Sequence, residues 1–174
     1  DLIFANNYLE QLAHHFKKWN QNVLEKKNVQ MVIQDGRTFT RWTKNKYDVI
    51  TLEPMSPVQA GTVNLYTKDF YELSANILNK NGIMMQWLPL HLVGPEDARS
   101  ILKTFQEVFP HTSIWNSFLT RIVLLVGSKE EFRIDKIRFE ELMRLPELKK
   151  SAQKIGINSF LDFTDFFIAD GSRV

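Results

Sequence analysis

Two carboxylates stand where apolar runs stop. Asp35 lies in "QDGR", just after "VQMVI" (29–33), and Glu53 follows "YDVITL" (47–52) and precedes "PMSP". If both runs are parallel strands, each acid falls at a carboxyl end, where open α/β sheets bind ligands. A carboxylate followed by Gly36 lets a planar ligand approach closely and accepts a hydrogen bond from an amino group. The same dipeptide also makes a simple turn. Glu53 sits at the root of a loop of small residues, 55 to 64. An acid there can hold an amine and take its proton while the loop closes as a lid and excludes water. The plain alternative is a solvated acid before Pro54.

Histidine chemistry is poorly supported. His14 and His15 are adjacent, so on a helix they point about 100° apart and form no i, i+4 metal pair. His91 follows a strand end and His111 begins a hairpin, both with structural readings. No metal site is expected.

The elements that must position the two acids follow from periodicity. Tyr8, Leu9, Leu12, Ala13, Phe16, Trp19 and Val23 have helical spacing, which predicts an amphipathic helix over 6–26. "VQMVI", "YDVITL" and "GIMMQWL" (82–88) are short apolar runs separated by helical stretches, as βαβ units require. Apolar on both sides, they fit a parallel sheet covered by helices on two faces. Gly94, Pro95, Glu96 and Asp97 open another helix. "TSIW" and "RIVLLVG" are too close for a helical crossover and predict an antiparallel pair near 112–117 and 121–127. Residues 135 to 168 read as helical, broken at Pro146 and Gly156. The expected fold is a Rossmann-like sheet of the S-adenosylmethionine methyltransferase type, with a parallel core and a C-terminal antiparallel hairpin. Residues 1–130 would form that domain and 131–174 a helical extension.

Composition narrows the classes. The 174 residues are 44% hydrophobic, enough for one core, and carry a net charge of +2. Lysine and arginine are scattered, so no nucleic-acid surface is expected. Without cysteine there are no disulfides or thiolate metal sites. The longest aliphatic run, "IVLLV" (122–126), is far short of a bilayer span. The chain starts "DLIF" with neither a signal peptide nor an initiator methionine, from which we expect a fragment.

"IQDGRTFTRW", "YDVITLEPMSP" and "NLYTKDFYELSANILNKNGIMMQW" occur in that order at βαβ spacing. The series resembles the spermidine synthase (polyamine aminopropyltransferase) family over the whole chain. It is most similar to the bacterial branch often fused to membrane helices, in which "LEP…P…A…G…NLY" and "QWLPLH" are typical. The resemblance implies transfer of a 3-aminopropyl group from decarboxylated S-adenosylmethionine, a co-substrate, to a putrescine-like amine, with no prosthetic group. Asp35, with Gly36 beside it, would hold the adenine amino group. Glu53 matches the catalytic acid that accepts from the attacking amine. Tyr66 lies in the segment closing over the site. Gln86 would stand beside the amine channel, and Ser56 takes the position of the loop's second acid. A cytoplasmic location, or the cytoplasmic face of a membrane protein, and an optional homodimer are implied too.

The sequence departs from the family at several points. The family reads roughly "DSSDP" where this chain has "EPMSP", and Trp87 and Leu88 follow Gln86 where a substrate-binding Glu is frequent. Phe4 aligns with the ribose-binding acid. No two of the seven glycines are spaced as G-x-G. Two other readings therefore stay open: a non-catalytic nucleoside-binding or scaffolding relative attached to a membrane protein, and a methyltransferase sharing the sheet.

Overall fold

The computed structural model describes residues 2–4, 12–54, 56–119 and 121–171. The chain divides into two compact units, Asp1–Asn45 and Lys46–Val174.

In the first unit, strand β1 (Leu2–Phe4) pairs in parallel with β2 (Met31–Ile33). The expected helix over 6–26 is only partly testable, since 5–11 lie outside the described residues. Residues 12–26 do not form one helix. Helix α1 (Lys17–Asn20) ends at Gln21 and Asn22, both left-handed at φ 55° and 53°. Asn20 explains the break: its side chain accepts from the Asn22 N–H at 3.0 Å, a local bond that competes with the helical ladder. Of the apolar stripe read from the sequence, Leu12, Phe16 and Trp19 are exposed, Trp19 to 78%. After β2, Asp35 caps helix α2 (Gly36–Trp42).

The second unit holds a five-stranded mixed sheet. Strand β3 (Tyr47–Leu52) runs parallel to β4 (Leu78–Pro89), with helix α3 (Lys68–Asn76) as the crossover. Helix α4 (Pro95–Val108) comes next, and β5 (His111–Asn116) and β6 (Ile122–Ser128) form the predicted antiparallel pair. The strand order is β3-β4-β6-β5-β7, where β7 is Phe167–Asp170. Two expectations change here. The 29–33 run does form a strand, but it pairs with β1 and not within the sheet of β3 and β4. An apolar run marks a strand but not its partner or its burial, and Ile33 here stays exposed. Residues 167–170, read as the end of a helical tail, instead add an edge strand to β5. Phe167–Asp170 is too short for its spacing to separate helix from strand, and pairing with β5 decides.

One face of this sheet is dense. Met84, Leu88, Val123 and Leu125 meet Tyr71 of α3, Ala98, Ile101 and Phe105 of α4, and Phe109 just past its end, in one buried cluster. Gly127 permits the contact: a Cβ there would lie 2.5 Å from the Phe105 ring. The other face carries the C-terminal helices α5 (Lys136–Leu142), α6 (Pro146–Lys154) and α7 (Phe160–Thr164). Pro146 opens α6 and left-handed Gly156 lies just past its end, as the sequence breaks foretold. Phe163 packs on Trp115 at 5.3 Å and on Phe139 at 5.4 Å. This face keeps an apolar cavity of about 400 Å³ between Ile83, Met85, Leu124, Val126 and Phe163. Among the described residues no helix is long and apolar enough to cross a membrane.

Candidate functional site

In the first unit, Asp35 has a structural duty that the sequence did not distinguish from ligand binding. Its Oδ1 accepts from the Thr38 N–H at 2.8 Å and so satisfies an otherwise orphaned donor of α2. The residue remains exposed. A carboxylate has acceptor sites beyond that single bond. At Gly36 a Cβ would meet nothing within 4 Å, so neither packing nor backbone demands glycine, and the open space suits a close ligand approach.

The second unit holds the other four residues. Glu53 directly follows β3, is exposed, and makes no ion pair or hydrogen bond among the described residues. Ser56 is buried, and its hydroxyl reaches the Leu92 carbonyl at 3.4 Å, a long bond that links the loop after β3 to the loop after β4. Tyr66 and Gln86 come together. Gln86 is opposite Leu52 in the parallel ladder, one residue before Glu53. It is fully buried, and its Nε2 donates to the Leu65 carbonyl at 3.3 Å. Burial pushes the Tyr66 phenol up to about 12, with the Gln86 amide acting the other way. At neutral pH Tyr66 is therefore a protonated donor and not a base.

Tyr71 was not singled out from the sequence, although it stands in the "NLYTKDFYELSANILNKNGIMMQW" stretch. It is fully buried against Phe105, at 5.1 Å between ring centroids. Burial raises its phenol well above the ordinary range, the neighbouring Tyr66 adds to that, and Gln86 opposes it. A tyrosine at a core position, where phenylalanine would pack as well, is the signal that could have found it. A second cavity, of about 320 Å³, lies under the loop between Val58, Val63, Tyr66, Val93, Asp97 and Thr104.

His111 is exposed at the start of β5, and the His91 ring lies 3.4 Å from the Arg121 carbonyl. Among the described residues no cluster of three acids or histidines could hold a metal ion.

A parallel β-α-β unit continued into an antiparallel hairpin, with acids just beyond strand ends, defines a Rossmann-like fold of the methyltransferase type. The solved structures agree. Spermidine synthase in complex with the transition state analogue AdoDATO superposes with a TM-score of 0.71 at 19% identity, covering 94% of this chain and 59% of that one. Human methyltransferase-like protein 13 in complex with SAH gives 0.64 at 14% identity, covering 88% and 68%. At such identities the likeness establishes the fold alone.

The sequence itself goes further. Residues 4–125, well over half the chain, match the profile of the spermine/spermidine synthase domain, and the chain belongs to that family. The polyamine aminopropyltransferase of Saccharolobus solfataricus is 36% identical over 111 residues, 63% of this chain and 35% of the relative. That of Bacillus cereus is 25% identical over 146 residues, 80% of this chain and 50% of the relative. The chain thus spans between about a third and a half of these relatives. Since they come from both Saccharolobus and Bacillus, they do not single out the bacterial branch.

Proposed function

We propose that this chain is part of a polyamine aminopropyltransferase, with the family domain in residues 1–130 and a helical extension in 131–174. The observation that carries the reading is Glu53: an exposed carboxylate just past a parallel strand, unpaired among the described residues, within the family-matched segment. In the proposed reaction the amine nitrogen attacks the aminopropyl carbon bound to the sulfonium of decarboxylated S-adenosylmethionine. The C–N bond forms as the C–S bond breaks. The sulfur leaves as neutral methylthioadenosine, and the nitrogen sheds one proton.

A sulfonium is already a good leaving group, so the protein's task is to orient an unprotonated amine in line. Glu53 holds the amine and accepts its proton. Asp35 and Gly36 take the adenine edge. Tyr66, protonated at neutral pH, accepts from an amine N–H through its phenol oxygen and leaves the nitrogen lone pair free to attack. Ser56 contributes no charge, because it is a neutral hydroxyl turned to Leu92. The amine is then gripped by one acid where the family has two, which favours an amine bearing charge mainly at its reacting end.

The non-catalytic reading draws on the same Ser56 contact, since a residue at a substrate-binding position is spent on joining two loops. Aminopropyl transfer by the full-length protein decides between them. Glu53→Gln keeps the side chain's size and removes its charge. Turnover should fall by about 10²- to 10⁴-fold while nucleoside binding persists. Unchanged turnover in Glu53→Gln would end the assignment of that carboxylate. No transfer by wild type to any polyamine would leave the scaffold.

A further inference from the structure

The cavity of about 320 Å³ under the loop is assembled from four stretches of the second unit. Val58 comes from the loop after β3, Val63 and Tyr66 from the turn before α3, and Val93 from the loop after β4. Helix α4 supplies the fourth wall. Asp97, Ser100, Ile101 and Thr104 stand at i, i+3, i+4 and i+7, so they share one face of that helix, and all four line the cavity. The three valines and Ile101 offer hydrocarbon. The Thr104 hydroxyl is turned back to the Ser100 carbonyl at 2.7 Å. Two of the three acids of α4 are spent on ion pairs, Glu96 with Arg99 and Glu107 with Lys68. Asp97 is exposed and makes no hydrogen bond or ion pair among the described residues. Hydrocarbon walls with one unpaired carboxylate match an alkylammonium, whose methylenes need apolar contact and whose charge needs an anionic acceptor.

The cavity adjoins the proposed amine site. Gln86 is opposite Leu52, whose successor is Glu53, and it bonds to the carbonyl of Leu65, whose successor is Tyr66. The chain entering Tyr66 therefore lies beside the end of β3. The Ser56 contact with Leu92 ties together the two loops whose next residues, Pro57 and Val93, both line the cavity. The hydroxyl at the position of the loop's second acid thus holds the cavity wall. We propose that this cavity receives the far end of an elongated linear amine, with its methylenes on the valines and Ile101 and its second ammonium at Asp97. One acid in the loop favours charge at the reacting end when the amine is short, because a second charge then falls within the loop. In a longer amine the second charge passes Tyr66 and meets Asp97. Asp97 then sets which amine is preferred and does not touch the reacting atoms.

The inference rests on the aminopropyltransferase reading, and its test separates the two. Putrescine and diaminooctane each carry two primary amines and differ only in the hydrocarbon between them. With decarboxylated S-adenosylmethionine and the full-length protein, kcat/KM should be higher for diaminooctane. Asp97→Asn should lower the ratio of diaminooctane to putrescine kcat/KM by about five- to tenfold, mainly through KM. Ser100→Trp fills the cavity from an exposed position and should lower the same ratio with Asp97 intact. An acid that only complements the positive end of α4 would change stability and treat both amines alike. A wild-type preference for putrescine, or a ratio in Asp97→Asn within about twofold of wild type, overturns the proposal. Calorimetry with diaminooctane supplies a readout without turnover. Its affinity should fall by about five- to tenfold in Asp97→Asn, and equal affinity, or no binding to wild type, overturns the cavity's role. Absence of transfer by wild type to either amine overturns the reading of the function, and calorimetry still judges the cavity.

Discussion

Where β3 ends, it and the neighbouring strand β4 have opposite characters. Strand β3 ends in an exposed carboxylate without a partner among the described residues, whereas β4, paired with it in parallel, carries a carboxamide at full burial. The difference comes from what lies over each end. Tyr71 of α3, Phe105 of α4 and Phe109 just past it cover β4, and the Leu65 carbonyl reaches down to Gln86. Beyond β3 the chain turns out through Pro54 towards the loop. Chemistry that needs a mobile proton and an entering amine belongs at the open end. The covered end has only support to offer. Substitutions at the first should therefore change rate without stability, and those behind the second should change stability first.

Glu53→Gln is the largest expected effect and the sharpest test of the open end. Alongside the 10²- to 10⁴-fold loss of turnover, unfolding free energy in denaturant should stay within about 0.5 kcal/mol of wild type. A large loss of stability would mean that this end is structural after all. Behind the covered end, Phe105→Ala removes a fully buried ring that touches both Tyr71 and Phe109. Chemical denaturation should register a loss of about 3–5 kcal/mol. A loss under about 1 kcal/mol would show that the two faces of the sheet are packed alike. Gly127→Ala approaches the same rings from the sheet side. Its Cβ would lie 2.5 Å from Phe105 and 2.7 Å from Phe109, so overpacking should cost about 1–3 kcal/mol.

Alkaline pH probes the covered end without mutation. The Tyr66 phenol holds its proton more tightly in the folded chain, at about 12 against 10 unfolded. A raised acid pKa means the folded state keeps a proton that the unfolded state gives up. Its contribution is fully present below pH 10 and is lost as pH rises from 10 to about 12. Tyr71 is shifted the same way, so it reinforces the trend. Tyrosinate absorbance should therefore lag behind that of model tyrosine until the fold gives way, and circular dichroism should report the two events together. Ionisation of all tyrosines near pH 10 with the fold intact would contradict the buried patch.

The legible part of the molecule was set by short-range pattern. "YDVITL", "GIMMQWL" and the closely spaced pair from "TSIW" to "RIVLLVG" became neighbouring strands because apolar runs of that length must be covered and too few residues separate the last two for a crossover. The positions of Asp35 and Glu53 followed from the same pattern. The hidden part depended on partners distant in sequence. Nothing in "MMQW" says that Gln86 faces the Leu65 carbonyl, and nothing in "EPMSP" turns Ser56 toward Leu92. β2 was read as a strand, but its ladder partner, residues 2–4, lies about thirty positions upstream. Local competition also escaped the periodic reading, as when Asn20 ended a helix that the apolar spacing would have continued.

Asp35 asks whether one carboxylate serves both fold and ligand. It follows a parallel strand as Glu53 does, yet one oxygen is already engaged by Thr38. Asp35→Ala removes the cap and should cost about 0.5–2 kcal/mol. Serine caps a helix nearly as well, so Asp35→Ser should return most of that loss. Its hydroxyl is shorter, however, and lacks the second oxygen and the charge with which a carboxylate meets an amino group. If Asp35 holds a nucleoside edge, Asp35→Ser should match wild type in thermal unfolding and still lose affinity for methylthioadenosine. The loss should be about ten- to hundredfold, the value of one hydrogen bond to a charged group. Calorimetry on the full-length protein measures it. Equal affinity in Asp35→Ser and wild type would reduce Asp35 to a helix cap and leave the open end of β3 as the only strand end with chemistry to perform.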